Sequence, residues 1–163
     1  MDHIEKRVTL RAPLDRVWRA ISDAAQFGVW FGCELDGPFV AGQRITGRIR
    51  PTQVDPAIAK HQQPYDGHPI EWLVEAIEPP HRFAFRWHPF AIEPGVDYSA
   101  EPMTLVEFTL AEAAGGTQLV IRESGFDRIP AARRTKAFTA NDGGWTAQLD
   151  LVAKYLAGAA PTA

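Results

Sequence analysis

The segment 141–156, NDGGWTAQLDLVAKYL, decides the fold because it joins a clear helical pattern to an irregular beginning. Its apolar residues recur at steps of four, three and four, which places them in one stripe of a helix: Trp145, Leu149, Val152 and Leu156. One turn earlier, the same stripe reaches Asn141 and Asp142, with Gly143 and Gly144 in between. Two interior glycines cost about 1 kcal/mol each relative to alanine. The segment therefore predicts a long helix whose first part packs differently from its second.

The chain that precedes this helix reads mainly as strands. Pro13 and Asp23 suit the starts of two short helices after the first strand, the second reaching Phe27, and Pro130 opens the terminal helix. Two proline-rich loops interrupt the strands, at 51–69 with a short helical turn at 56–62, and at 88–102. Strands followed by a terminal helix indicate an α+β fold with an antiparallel sheet. The alternating segments predict strands at 4–10, 44–50, 70–77, 82–87, 104–110 and 117–123.

Alternation also predicts which sheet face is apolar. Phe83, Phe85 and Trp87 share one face of their strand, and Leu119, Ile121 and Glu123 share one face of theirs. An apolar face needs a cover, and the terminal helix, 130–157, is the only long amphipathic element left to provide it.

The small and polar beginning of the terminal helix has two interpretations. Around Asn141 to Gly144 the helix could leave a chamber between itself and the sheet, where Asn141 and Asp142 would meet water or a ligand. Alternatively, Gly143 and Gly144 are a kink or allow a close backbone approach. The two interpretations are compatible.

Composition excludes several classes of protein. The chain of 163 residues has a formal charge of −3 and no long basic run, which argues against a nucleic-acid partner. The single cysteine, Cys33, cannot form an internal disulfide and suits a reducing compartment. The beginning of the chain has no apolar signal core, and no apolar run approaches ~18 residues. We therefore expect a cytoplasmic protein without a membrane span.

Four stretches together resemble a known superfamily. They are LRAPLDRVWRAISDAAQFGVWF (10–31), IEPPHRFAFRW (77–87), GGTQLVIRESGF (115–126) and the opening segment. In this order they resemble the START-like, Bet v 1-like (SRPBCC) superfamily, in the branch of the C-terminal domain of the activator of Hsp90 ATPase. The resemblance spans about residues 4–157. It implies a helix-grip fold, in which a curved antiparallel sheet of six to seven strands wraps around a long C-terminal helix and encloses a cavity. We expect one such domain at 1–158 and a flexible tail at 159–163.

The resemblance does not fix a function, because members of the superfamily include lipid and hormone carriers, cyclases, plant ligand-binding proteins and chaperone-stimulating domains. The site has to be argued from residues. Pockets for small molecules are mostly apolar with a few orienting polar groups. Any one aromatic could equally be plain core, but as a group we expect some to line the cavity: Trp30, Phe31, Trp72, Phe85, Trp87, Phe108 and Trp145.

Three polar residues complete the predicted ligand-binding site. Glu123 points inward by alternation and could orient a ligand, or it lies at the strand end and bonds backbone or an arginine such as Arg133 or Arg134. We expect His88 at the cavity rim, and Asn141 lies at the start of the apolar stripe. No residue is predicted to be catalytic. No histidine pattern indicates a metal, and no motif indicates a nucleotide or another cofactor.

Three functions follow as hypotheses. The first is binding of a small apolar or aromatic molecule in the cavity. The second is regulation of an Hsp90-type chaperone or another protein interaction, although the eukaryotic co-chaperone has a separate N-terminal domain for which this chain has no room. The third is acid–base catalysis of a cyclase or hydrolase type in the same cavity. The proline-rich loops could also support a homodimer.

Overall fold

The structure is a computed structural model that describes residues 2–158. Seven strands and four helices follow one another along the chain. The strands are β1 His3–Leu10, β2 Cys33–Leu35, β3 Arg44–Ile49, β4 Pro69–Glu78, β5 Arg82–Trp87, β6 Thr104–Ala113 and β7 Gly116–Ser124. The helices are α1 Leu14–Ser22, α2 Ala24–Phe31, α3 Pro56–Gln62 and α4 Ala131–Gly158.

All seven strands form one antiparallel sheet in the order β1-β7-β6-β5-β4-β3-β2. The predicted α+β helix-grip fold, with two short helices after the first strand and a long C-terminal helix, is confirmed. The six predicted strands are present within one to three residues of their expected ends. The prediction missed β2, because its three residues are too few to show alternation.

Glycines set two boundaries that the site depends on. Helix α2 extends beyond the predicted Phe27 to Phe31. The next residue, Gly32, ends it with a φ of 102°, in the left-handed region that favours glycine. In the β6–β7 hairpin, a Cβ on Gly116 would lie 1.9 Å from the backbone oxygen of Leu10. The hairpin can therefore pack against the end of β1 only with glycine at this position.

Two elements, not one, cover the apolar face of the sheet. Trp145 of α4 contacts Phe108 with ring centroids 5.8 Å apart. Phe27 of α2 lies over the centre of the same face, 6.1 Å from Phe108 and 6.5 Å from Phe85. The expectation that the terminal helix alone provides the cover is therefore wrong. Helix α2 therefore occupies part of the apolar face with the fully buried ring of Phe27.

Three further expectations concern a membrane span, the C-terminal tail and a homodimer. Within residues 2–158, no helix is both long enough and apolar enough to cross a bilayer. The predicted tail, 159–163, lies outside the described residues. The homodimer stays a prediction.

Candidate functional site

The buried carboxylate of Glu123 is the centre of a hydrogen-bond network between the sheet and α4. Alternation correctly predicted its inward direction, since the side chain is fully buried. Oε1 accepts from the Trp145 indole at 2.8 Å and from the Asn141 amide at 2.9 Å. Oε2 accepts from the Trp87 indole at 2.7 Å, from the Thr104 hydroxyl at 2.6 Å and from Asn141 at 3.1 Å. Indole and amide N–H groups can only donate, so the set matches a carboxylate, which can only accept.

Neither arginine expected as a partner of Glu123 reaches it. Arg133 donates to Glu101, and Arg134 donates to the backbone oxygen of Ile129. All described donors to Glu123 are uncharged. This buried acidic group is therefore stabilised by hydrogen bonds rather than by an ion pair.

An aromatic wall adjoins this network. Trp87 and Trp145 stack with ring centroids 5.6 Å apart, and Trp72 stacks on Phe85 at 4.5 Å. The ring of Phe31, the last residue of α2, lies 5.6 Å from that of Trp72 and 6.2 Å from that of Trp87. Tryptophans on facing elements thus form a continuous apolar surface whose indole N–H groups are partly fixed by Glu123.

An open pocket of ≈ 710 Å³ lies in front of this wall. Phe31, Trp72 and Trp87 form its inner side, Asn141 contributes from α4, and the segment 88–103 forms the opposite side. We call this segment the 88–103 loop. The volume falls within the range of small-molecule sites, about 300–1,000 Å³.

Arg133, in the first turns of α4, holds the 88–103 loop in place. Its guanidinium donates to the backbone oxygens of Pro89 at 3.1 Å and Phe90 at 3.3 Å. It also donates to the Glu101 carboxylate at 2.8 Å and lies 4.7 Å from the centre of the Tyr98 ring. One side chain therefore anchors both ends of the loop. Phe90 adopts a φ of 53°, an uncommon conformation for a bulky residue, at the point where Arg133 binds its oxygen.

His88 lines the pocket with an unsatisfied polar atom. Its Nδ1 is buried and has no hydrogen-bond partner within residues 2–158. Burial lowers the pKa of His88, while the nearby charges of Glu101 and Arg133 act in opposite directions. Burial therefore favours the neutral imidazole, and its buried Nδ1 is left without a described partner.

The ten predicted site residues separate into two groups. Five line the pocket: Phe31, Trp72, Trp87, His88 and Asn141. The other five lie behind the wall as buried core: Trp30, Phe85, Phe108, Glu123 and Trp145. Within this second group, Trp30 has a different structural role. Its indole donates to the backbone oxygen of Ala20 at 2.8 Å and so joins α2 to α1.

The two glycines of α4 do not contribute to the pocket. The helix is continuous from Ala131 to Gly158, both glycines are exposed, and a Cβ on either would meet no atom within 4 Å. Asp142 lies outside the pocket as well and forms an ion pair with Lys6 at 3.0 Å. Of the chamber interpretation, only Asn141 faces the pocket. The alternative of a close backbone approach is wrong, and the kink stays a prediction.

Sequence reasoning missed the contribution of the 88–103 loop. Phe90, Tyr98 and Met103 line the pocket, as do the carboxylates of Glu93 and Asp97. The sequence predicted a proline-rich loop at 88–102 and placed only His88 of this loop at the cavity rim. An aperiodic segment gives no signal for the direction of any single side chain.

Two other kinds of chemistry find little support at this site. No group of three or more His, Cys, Asp or Glu side chains in the described part of the chain is arranged to hold a metal ion. Burial raises the pKa of the Cys33 thiol to about 12, so the thiolate that a nucleophile requires is scarce.

Comparison with known proteins now places the chain in a family. Residues 11–157 match the family described as "Activator of Hsp90 ATPase homolog 1-like protein". The chain belongs to this family. Its fold is that of the SRPBCC superfamily, a group of ligand-binding domains, as the four sequence stretches indicated. No curated protein matches the chain.

Solved structures with the same fold come from several sources. The chain is 26% identical to DynU16, a protein of the dynemicin biosynthetic locus, with a TM-score of 0.66. The matched region covers 96% of this chain and 47% of DynU16. It thus spans about half the length of that protein. A protein from Bordetella parapertussis is 25% identical, with a TM-score of 0.67 and coverage of 97% and 76%. One from Mesorhizobium loti is 20% identical, with a TM-score of 0.69 and coverage of 94% and 96%, and shows the fold alone.

Proposed function

We propose that the protein binds a small aromatic or apolar molecule in the pocket beside α4. The observation that carries this proposal is an open pocket of ≈ 710 Å³ whose inner side is formed by Phe31, Trp72 and Trp87. Trp72 is buried, but Phe31 and Trp87 are only partly buried, and a flat apolar ligand would cover the aromatic surface that they leave in water. A ligand of drug-like size fits a volume of this order.

Polar groups at the edge of the wall would orient the ligand. The buried Nδ1 of His88 has no described hydrogen-bond partner, and a buried polar atom without a partner costs about 1–3 kcal/mol. A ligand hydroxyl or N–H that reaches this nitrogen would recover that free energy. The proposal thus combines an apolar surface for affinity with one polar group for orientation.

Catalysis by Glu123 is less well supported by the same geometry. Both carboxylate oxygens already accept hydrogen bonds, the side chain is fully buried, and it lies behind Trp87 instead of in the pocket lining. A general base has to reach the proton that it removes. The Hsp90-regulator hypothesis stays a prediction, and an ATPase assay with Hsp90 tests it.

Titration with 1-naphthalenemethanol tests the proposal, using calorimetry and the thermal stability of the protein. A ligand at 100 times its Kd should add about 2.7 kcal/mol to the free energy of unfolding. Ile70→Trp would place a large ring in the pocket from β4 and should abolish binding. Val40→Trp adds the same ring at an exposed position outside the pocket lining and should leave binding unchanged. Binding that survives Ile70→Trp, in a variant that is folded by circular dichroism, would contradict the site.

A further inference from the structure

The charged groups around the pocket are unevenly distributed. Glu71, Glu93 and Asp97 line it, whereas no lysine or arginine does so within the described residues. Glu71 is compensated by an ion pair with Arg44 at 3.0 Å. Neither Glu93 nor Asp97 forms an ion pair in the part of the chain that the structure describes. Both are exposed, so they lie where the pocket meets water.

The groups behind the lining do not restore the balance. Glu123 adds a buried acidic group whose described donors are all uncharged. The nearest cation of the 88–103 loop, Arg133, is bound to Glu101 at 2.8 Å. Burial lowers the pKa of His88 and so disfavours its cationic form. The charged groups that line the pocket and form no described ion pair, Glu93 and Asp97, are therefore both negative.

We propose that this pocket selects ligands that combine an aromatic or apolar body with a positively charged amine. The inference rests on the proposed function and adds the charge of the ligand. The body would lie against Trp72 and Trp87, and the ammonium group would lie towards Glu93 and Asp97. Tryptophan faces attract cations as well as apolar surface. An anionic ligand would lose its hydration in the pocket without gaining a cationic partner.

Three probes that share one ring system isolate the effect of charge: 1-naphthalenemethylamine, 1-naphthalenemethanol and 1-naphthoate. Each exposed carboxylate that meets an ammonium group contributes about 0.2–1 kcal/mol. Two such carboxylates should make the amine bind between about 2-fold and 30-fold more tightly than the alcohol. The naphthoate should bind most weakly. Added salt should reduce the preference for the amine, because exposed charges are screened.

Two double variants test whether Glu93 and Asp97 cause the preference for the amine. Glu93→Gln with Asp97→Asn should bring the ratio of amine to alcohol affinity close to one and leave alcohol affinity unchanged. Glu5→Gln with Glu112→Gln makes the same change in net charge on β1 and β6, away from the pocket, and should leave the ratio as it is in the parent protein.

The outcomes separate this inference from the proposed function. If the amine and the naphthoate bind with equal affinity, and Ile70→Trp abolishes the binding of both, the charge preference is overturned and the pocket is supported. The preference would also be overturned if the Glu93 and Asp97 double variant kept it in full. Failure of all three probes to bind would overturn both proposals. Met103→Trp, a second filler from the opposite side of the pocket, provides the same test if Ile70→Trp does not fold.

Discussion

Replacing Glu123 by glutamine should strongly destabilise the protein, although the side chain keeps its size. Glutamine offers one carbonyl oxygen and one amide N–H2 group where the carboxylate offers two acceptors. The N–H2 group must face either Trp145, which donates to Oε1 at 2.8 Å, or Trp87, which donates to Oε2 at 2.7 Å. In either orientation one buried indole N–H loses its acceptor and meets another donor.

The size of the effect follows from these lost bonds. A buried donor without a partner costs about 1–3 kcal/mol, and a hydrogen bond to a charged group is worth about 1.5–3 kcal/mol. Removing the charge also removes its desolvation penalty, which offsets part of the loss. We therefore expect Glu123→Gln to lower the free energy of unfolding by about 2–4 kcal/mol. The remaining donors, Thr104 and Asn141, can rearrange and limit the cost.

Urea denaturation followed by circular dichroism and tryptophan fluorescence measures this change. The matched control is Glu107→Gln on β6, whose carboxylate pairs with Arg82 at 2.8 Å on the outer face of the sheet. A partly exposed pair of this kind contributes less than about 1 kcal/mol. If Glu123→Gln lost no more stability than Glu107→Gln, Glu123 would not be the organising acceptor. A double-mutant cycle with Trp87→Phe should show coupling between the two sites, because they share a hydrogen bond.

Four further predictions test separate parts of the structure. Gly144→Ala should stabilise the protein by about 1 kcal/mol in thermal unfolding, because a Cβ there meets no atom and alanine favours the helix; equal or lower stability would contradict an open, helical position. Arg133→Lys should make the 88–103 loop more sensitive to protease, since lysine cannot form the same fork of hydrogen bonds; an unchanged cleavage rate would contradict the anchoring role. Because burial lowers the pKa of His88 in the folded state, the unfolded state binds more protons, so stability should fall as pH drops through about 6.5; His88→Gln should remove that part of the pH profile. The Cys33 thiol should react with a disulfide reagent slowly in the native protein and quickly in urea, because burial raises its pKa to about 12.

Much of the fold followed from periodic residues, and the exceptions have physical causes. Alternation along β7 placed Glu123 inside because side-chain direction in a strand has a period of two. The same kind of argument could have placed the glycines of α4: at 3.6 residues per turn, Gly143 lies about 200° from Trp145 and therefore on the opposite side of the helix. Helix α2 was predicted to end at Phe27, four residues early, and so short a segment shows no periodicity from which the position of Phe27 over the sheet centre could be foreseen. The loop residues of the site were beyond prediction, because an aperiodic loop takes its shape from distant contacts such as those of Arg133.

Two side chains connect the buried hydrogen-bond network with the pocket. Trp87 and Asn141 each donate to Glu123 on one side and line the pocket on the other. The carboxylate therefore fixes the orientation of two residues of the pocket wall without itself lining the pocket. A ligand that shifts either donor must weaken a bond in the core, which favours ligands that fit the wall as it stands. Glu123→Gln should accordingly weaken ligand binding even under conditions where the variant remains folded, whereas Glu107→Gln should not.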